Sequence, residues 1–176
     1  MIGLLASTGL RSGEVTRLDR EDADLAHGIL RIRRTKFRKD RLVPVHPTTL
    51  AVLRSYAKAR DRAYPKATSP GFFLSLRGGR LSASGFHGAF HAIRAKAGLN
   101  GGLPRRVRPH DLRHRFAVTR LVTWHRQHVD VQARLPLLAT YLGHVRYSDT
   151  AYYVSGTPEL LEQAASRAFA RPGGGQ

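Results

Sequence analysis

The sequence contains no cysteine, which removes disulfides, thiolate metal sites and a cysteine nucleophile together. Acidic side chains are scarce: twelve Asp and Glu stand against thirty Lys and Arg, for a formal charge of +18. Lysine is scarce as well. Only Lys36, Lys39, Lys58, Lys66 and Lys96 carry an ammonium, and the other twenty-five basic residues are arginine. No run approaches the roughly 20 apolar residues of a membrane span. Met1-Ile2-Gly3-Leu4-Leu5 is too short for a signal-peptide core and has no basic lead, so a soluble, intracellular protein is expected.

At 176 residues the chain has the length of one ordinary domain with a proper core. The charge excess is a statement about partners: a polyanion is expected, and nucleic acid first. The arginine bias suits clamping of phosphate, because guanidinium binds it bidentately and holds its charge at any working pH.

Residues 1–8 are apolar and helix-like, with Gly9 as the cap, and Glu14–Leu18 predicts a second short helix with Arg11 at the junction. Residues 29–33 and 41–45 alternate as strands do, around a polar turn at 35–40. Leu25 marks a short first strand, and Pro44 implies that the last strand lies on an edge or ends there. An amphipathic helix is expected over 47–63, with Leu50, Leu53 and Ala57 on one side. Phe72-Phe73-Leu74 should pack inward within a loop-rich stretch, and 84–97 reads as a helix carrying Phe86, Phe90 and Ile93. Pro109 suits a helix first turn, which predicts a helix to about Gln127. A further helix is expected over 132–142 with Pro136 near its start. Ser148-Asp149 would cap a short helix holding Tyr152 and Tyr153. Thr157-Pro158-Glu159 opens a last helix with a stripe of Leu160, Leu161, Ala164, Ala165, Ala168 and Phe169.

Two stretches bear chemistry. Arg108-Pro109-His110-Asp111-Leu112-Arg113-His114 puts His110 and Arg113 on one helix face. Downstream, Gly143-His144 is followed nine residues later by Tyr153, with Tyr147 and Tyr152 as neighbouring phenols. A tyrosine near histidines and arginines in so basic a chain points to an oxygen nucleophile attacking a phosphate. Breaking a phosphodiester without metal needs an in-line nucleophile, cations on the equatorial oxygens and an acid for the leaving 5′ oxygen. Arginine holds its proton too tightly to be that acid, which leaves the five lysines. His110 and His114 have the i, i+4 spacing of helical metal ligands, but no glutamate lies between them and arginines crowd the segment. Asp19, Glu21, Asp22 and Asp24 form an acidic cluster whose expected state is solvation or pairing with neighbouring arginines.

These motifs, together with Thr8-Gly9-Leu10-Arg11-Ser12-Gly13-Glu14, resemble the catalytic set of the tyrosine recombinases, the phage-integrase family. The resemblance covers nearly the whole chain. It implies Arg11 and Arg113 as phosphate clamps, Glu14 as a supporting acid, and His110 as the group that moves the proton of the nucleophile. It implies His144 as a donor to a phosphate oxygen and Tyr153 as the nucleophile. Alignment of the 36–45 hairpin with that of the family selects Lys36 as the leaving-group acid, with Lys39 in reserve. Arg38, Lys39, Arg105, Arg106 and Arg108 are expected to contact DNA. The interval from His110 to His144 is several residues longer than is usual, with Trp124 to Arg134 as the insertion.

The implied fold is mixed, mostly α-helical with a small three-stranded antiparallel β-sheet. Residues 1–171 would form the catalytic domain and 172–176 a flexible tail, with the N-terminal core-binding domain of the family absent. The implied function is site-specific cutting and rejoining of double-stranded DNA through a 3′-phosphotyrosine, with no cofactor, metal or ATP. The protein would act as a tetramer on DNA, assembled through residues 158–169, in the cytoplasm at the bacterial nucleoid. Three alternatives stand beside it: a type IB topoisomerase-like swivelling enzyme, a catalytically idle DNA-binding fragment of a truncated mobile-element integrase, and, weakest, a metal-dependent nuclease built on the Asp19–Asp24 acids.

Overall fold

A computed structural model describes residues 1–33, 40–67, 69–99, 106–144 and 150. The chain divides into two compact units, Met1–Phe116 and Ala117–Gln176. The architecture is mostly helical with one three-stranded antiparallel sheet, as expected. Lys36, Arg38, Lys39, Arg105, Tyr147, Tyr152, Tyr153 and the 158–169 stripe lie outside the described residues.

In the first unit, helix α1 (Ile2–Thr8) ends at Gly9, whose φ of 65° is left-handed and whose N–H donates to the Leu5 carbonyl. Helix α2 (Ser12–Arg17) starts earlier than its sequence pattern indicates, because Arg11 is the N-cap and Glu14 the third helical residue. Strands β1 (Ala23–Asp24), β2 (Ile29–Ile32) and β3 (Arg41–Pro44) lie in the order β1-β2-β3. The short first strand thus falls just before Leu25, and β3 is an edge, as Pro44 requires. The register sets Leu30 opposite Val43 and Ile32 opposite Arg41. Leu30, Ile32 and Val43 are buried while Leu42 faces out, the two-residue alternation of a half-buried sheet.

Helix α3 (Pro47–Ala63) buries Leu53, Ala57 and Arg60 and lies against α1. The stripe ends in an arginine because that side chain has work to do. Arg60 donates from Nε to the Phe72 carbonyl at 3.1 Å and from Nη2 to the Gly71 carbonyl at 2.9 Å. Those bonds satisfy a loop whose Phe72 and Phe73 rings are buried beside Tyr56, so the inward packing of that run is met. Helix α4 (Ala83–Lys96) is capped by the Ser82 side chain, which accepts from the Gly85 N–H, and it lies against α2. It buries Phe86, Phe90 and Arg94, whereas Ile93 is exposed. Arg94 takes the inward position by donating to the Val107 carbonyl at 3.0 Å and bonding His91 Nδ1.

Helix α5 (Pro109–Arg126) carries the unit boundary within it. In the second unit, Ala117, Val118 and Leu121 of α5 are buried. So are Leu135, Leu138, Ala139 and Leu142 of α6 (Val131–Leu142). Between the helices His128 holds φ 56°, and Val129 N–H closes on the Trp124 carbonyl at 3.0 Å. The Trp124–Arg134 stretch is therefore two helix ends and a short connection. Asp130 caps α6 by accepting from the Ala133 N–H. That cap starts the helix early enough to leave Pro136 in its interior rather than near its start, a position where proline donates nothing to the helical ladder.

Gly9 joins α1 to the arginine-bearing turn, and its left-handed backbone admits a β-carbon only with strain. Gly9→Ala is expected to cost about 1–2 kcal/mol, read as a lower urea midpoint with unchanged m-value.

Candidate active site

The site in the first unit is built around one buried carboxylate. Glu14 is the third residue of α2 and reaches back to accept the Arg11 backbone N–H at 2.9 Å. The Arg11 guanidinium meets the same carboxylate at 3.2 Å. Arg41, at the start of β3, closes on it from the sheet side with two parallel bonds, Nη1 to Oε1 and Nη2 to Oε2, each 2.9 Å. The Glu14 side chain is 2% exposed, Arg41 10% and Arg11 39%. Burial pushes the Glu14 carboxyl up, but Arg41 first and Arg11 second outweigh it and hold it below its ordinary value.

The first turn of α5 brings the second half of the motif. Asp111 accepts the Arg108 backbone N–H at 2.7 Å, the same reach back to an N-cap arginine that Glu14 makes on α2, and it starts the helix where Pro109 permits one. One turn on, Arg113 is among the most buried side chains of the protein, at 1% exposure. Its Nη1 donates to the Gly9 carbonyl at 2.8 Å, across 104 positions of sequence. Arg113 is thereby tied to the left-handed residue two places before Arg11.

His110 stands on the open side of this turn. Its pKa is lowered, first because the surrounding protein strips water from the ring, then because Arg113, Arg11 and Arg108 add positive charge that Asp111 only partly offsets. The imidazole is therefore neutral at neutral pH and has a nitrogen lone pair to offer. Arg106 and Arg108 are exposed.

In the second unit, Gly143 (φ 71°) ends α6 in a Schellman motif. The His144 N–H donates to the Ala139 carbonyl at 2.9 Å and the Gly143 N–H to the Thr140 carbonyl at 3.0 Å. This is why a glycine precedes the histidine: the turn it makes fixes where the ring starts. His144 Nδ1 lies 2.7 Å from the hydroxyl of buried Thr150, which leaves Nε2 as the nitrogen at the far end of the ring.

The acids at 19–24 are taken by protein cations. Arg33 reaches Asp22 at 2.7 Å, Glu21 at 2.6 Å and Asp19 at 3.4 Å, Arg80 also pairs with Asp19, and Asp24 pairs with His27 at 2.7 Å. This is the arginine pairing that the sequence leads one to expect. Among the described residues no group of three or more His, Asp or Glu could hold a metal ion.

Two residues that sequence reasoning did not single out belong with the site: Arg41, which reads only as a strand residue, and Thr150, which precedes the tyrosines. Neither carries a sequence signal beyond its neighbourhood, because each is defined by a partner, Glu14 or His144.

Removing the Glu14 charge leaves two guanidiniums facing a neutral group. Glu14→Gln is expected to cost about 3 kcal/mol at pH 7, the range for breaking a buried ion pair. Because the folded carboxyl titrates below its unfolded value, near 4.3, this stabilisation is complete above that value and lost as pH falls through the folded one. Urea melts of the two proteins should therefore converge in acid. A gap that stays constant would assign the loss to shape rather than charge.

The chain is similar to known proteins over most of its length. The model of the phage integrase family matches residues 1–159. A putative integrase/recombinase of Sinorhizobium fredii is 62% identical over 169 residues, covering 96% of this chain and 54% of that protein. The tyrosine recombinase XerC of Pelotomaculum thermopropionicum is 32% identical, covering 99% of this chain and 54% of its own. The chain thus spans about half the length of these relatives. Among solved structures, XerA recombinase superposes with a TM-score of 0.76 at 28% identity, over 96% of this chain and 56% of that one. XerH recombinase, bound to a palindromic difH substrate after cleavage, gives 0.68 at 26% identity, over 94% of this chain and 44% of its own. By the family match over residues 1–159 and the identity to these relatives, the chain belongs to the phage integrase family of tyrosine recombinases.

Proposed function

We propose that residues 1–171 are the catalytic domain of a site-specific recombinase that cuts and rejoins duplex DNA through a 3′-phosphotyrosine, without metal or nucleotide. The observation that carries this reading is the cluster in the first unit. Arg11 and Arg113 lie about a hundred residues apart in sequence, yet a single bond to the Gly9 carbonyl ties one beside the other. A histidine whose pKa is lowered by burial first and by the same cations second stands on that helix turn. Two guanidiniums and a neutral base suit the charge that develops on a phosphate under attack.

The chemistry then runs as follows. The Tyr153 phenol loses its proton to the neutral imidazole of His110 as its oxygen bonds to phosphorus. Arg11 and Arg113 hold the non-bridging oxygens, and His144 donates from Nε2. The bond from phosphorus to the 5′ oxygen breaks, and Lys36 supplies the proton that the leaving oxygen takes up. The tyrosyl ester conserves the bond energy, so a 5′ hydroxyl from another strand can reverse the step. Arg11 and His110 are open to solvent while Arg113 is buried, so contact of Arg113 with phosphate requires that it be uncovered when DNA binds. Arg38, Lys39, Arg105, Arg106 and Arg108 would grip the backbone of the duplex on either side. Assembly into a tetramer on DNA, through residues 158–169, would bring the strands of two sites together at the bacterial nucleoid.

On a nicked suicide substrate, Tyr153→Phe is expected to abolish the covalent protein–DNA adduct, while Tyr152→Phe retains it. Adduct formation should survive excess EDTA. Adduct from Tyr153→Phe would remove the nucleophile assignment, loss in EDTA with recovery in magnesium would favour a metal nuclease, and binding without any adduct would favour an idle fragment. Lys36→Ala should cleave poorly on ordinary DNA and recover on a substrate whose bridging 5′ oxygen is sulfur, because a thiolate leaves without a proton. Recovery by Lys39→Ala instead would exchange the two roles.

A further inference from the structure

The two parallel bonds from Arg41 to Glu14 do more than the ion pair that α2 needs. From Arg11 the carboxylate receives the backbone N–H on Oε2 at 2.9 Å and a longer guanidinium bond on Oε1 at 3.2 Å. Arg41 pins both oxygens at 2.9 Å. Its own backbone is fixed by the β2–β3 ladder, where it sits opposite Ile32. We propose that Arg41 is a positioning residue for the Arg11 clamp, acting through Glu14 to orient the Arg11 guanidinium and to keep its charge available for a phosphate. The inference rests on the phosphate-clamp reading above.

Exposure separates the two roles. Arg41, at 10% exposure, has both Nη atoms committed to the Glu14 carboxylate, while Arg11 at 39% is the more open of the two. The charge count separates them too. A lone Arg11–Glu14 pair would be neutral and would offer little to an anion. One carboxylate shared by two guanidiniums leaves these three side chains together at +1. Lysine in place of Arg41 would keep the charge but lose the paired geometry, because an ammonium is a point donor with no planar fork. Residue 41 also lies five positions after Lys36 in the chain, so Lys36 and the strand that bears Arg41 are close in sequence.

The test uses the whole chain and adduct formation on a suicide substrate. Arg41→Ala is expected to slow cleavage about 100-fold, the cost of misplacing a catalytic group by about 1 Å. Arg41→Lys should fold as the wild type does and lose about tenfold, the ammonium making one bond where the fork makes two. If Arg41 acts through Arg11, the double variant Arg11→Ala/Arg41→Ala is no slower than Arg11→Ala alone. On a substrate whose scissile phosphate is a neutral methylphosphonate, the penalties of both single variants should shrink together, which a general loss of structure would not produce. An independent arm reads the Arg11 Nε–H signal by NMR, identified by its loss in Arg11→Ala; it should shift and broaden in Arg41→Lys. Multiplicative losses, an undiminished penalty on methylphosphonate, or an Arg11 signal unmoved by Arg41→Lys would each overturn the proposal. Absence of adduct from the wild type would sink the phosphotyrosine reading instead, and the NMR arm would still decide Arg41.

Discussion

One buried carboxylate shared by two arginines is the constraint on which the first unit's site depends. Taking Glu14 out of water costs several kcal/mol unless charged donors replace the lost hydration. Here three donors do so: the paired N–H groups of Arg41, the guanidinium of Arg11 and the Arg11 backbone N–H. The donors come from two elements, so the cost of burial is met only when α2 and β3 are both in place. The same residue thus ends one helix correctly, anchors one edge strand and fixes the start of the arginine-bearing turn. From that turn the connection runs on through the Gly9 carbonyl to Arg113 of α5. Local capping and long-range order are one arrangement.

Much of this was legible in the sequence, and the reasons differ by element. The alternation of Leu30, Ile32 and Val43 and the spacing of Leu53 and Ala57 are properties of single residues, and they gave the sheet and α3 correctly. What escaped were inward arginines. On a helix a hydropathy pattern assigns Arg60 and Arg94 to the surface and Ile93 to the core. The structure reverses all three: the Gly71 and Phe72 carbonyls take donors from Arg60, and the Val107 carbonyl takes one from Arg94. Whether such carbonyls are waiting depends on where a loop folds, which no helical period records. Pro136 lies inside the helix that Asp130 caps, six positions after the cap, and cap and proline are read separately in sequence.

The candidate site divides in the same way. Arg11, Glu14, His110 and Arg113 were visible because they fall in short motifs, and the structure gathers them in one unit. His144 was visible through its glycine, whose left-handed turn is a local requirement. Arg41 and Thr150 were not, because each matters only through a partner. For Arg41 that partner is 27 positions away, and a strand arginine beside a leucine looks like any solvated residue until the carboxylate opposite it is known.

The arginine content itself has a double meaning. A charge of +18 reads as an electrostatic footprint for a polyanion, and every guanidinium seems available to it. Yet Arg54 donates to the Leu25 and Ala26 carbonyls, Arg80 to those of Thr16 and Leu18, and Arg60, Arg94 and Arg113 to others. These arginines close loops and helix ends, work for which a planar fork with several donors is suited and a lysine ammonium is not. The arginine bias therefore serves the fold as much as any ligand. Under the proposed function, the charge offered to a polyanion is better judged from exposed groups such as Arg106 and Arg108 than from the total. A site made this way gains its positive field from residues whose geometry is already set by structure, so that orientation and charge arrive at the phosphate together.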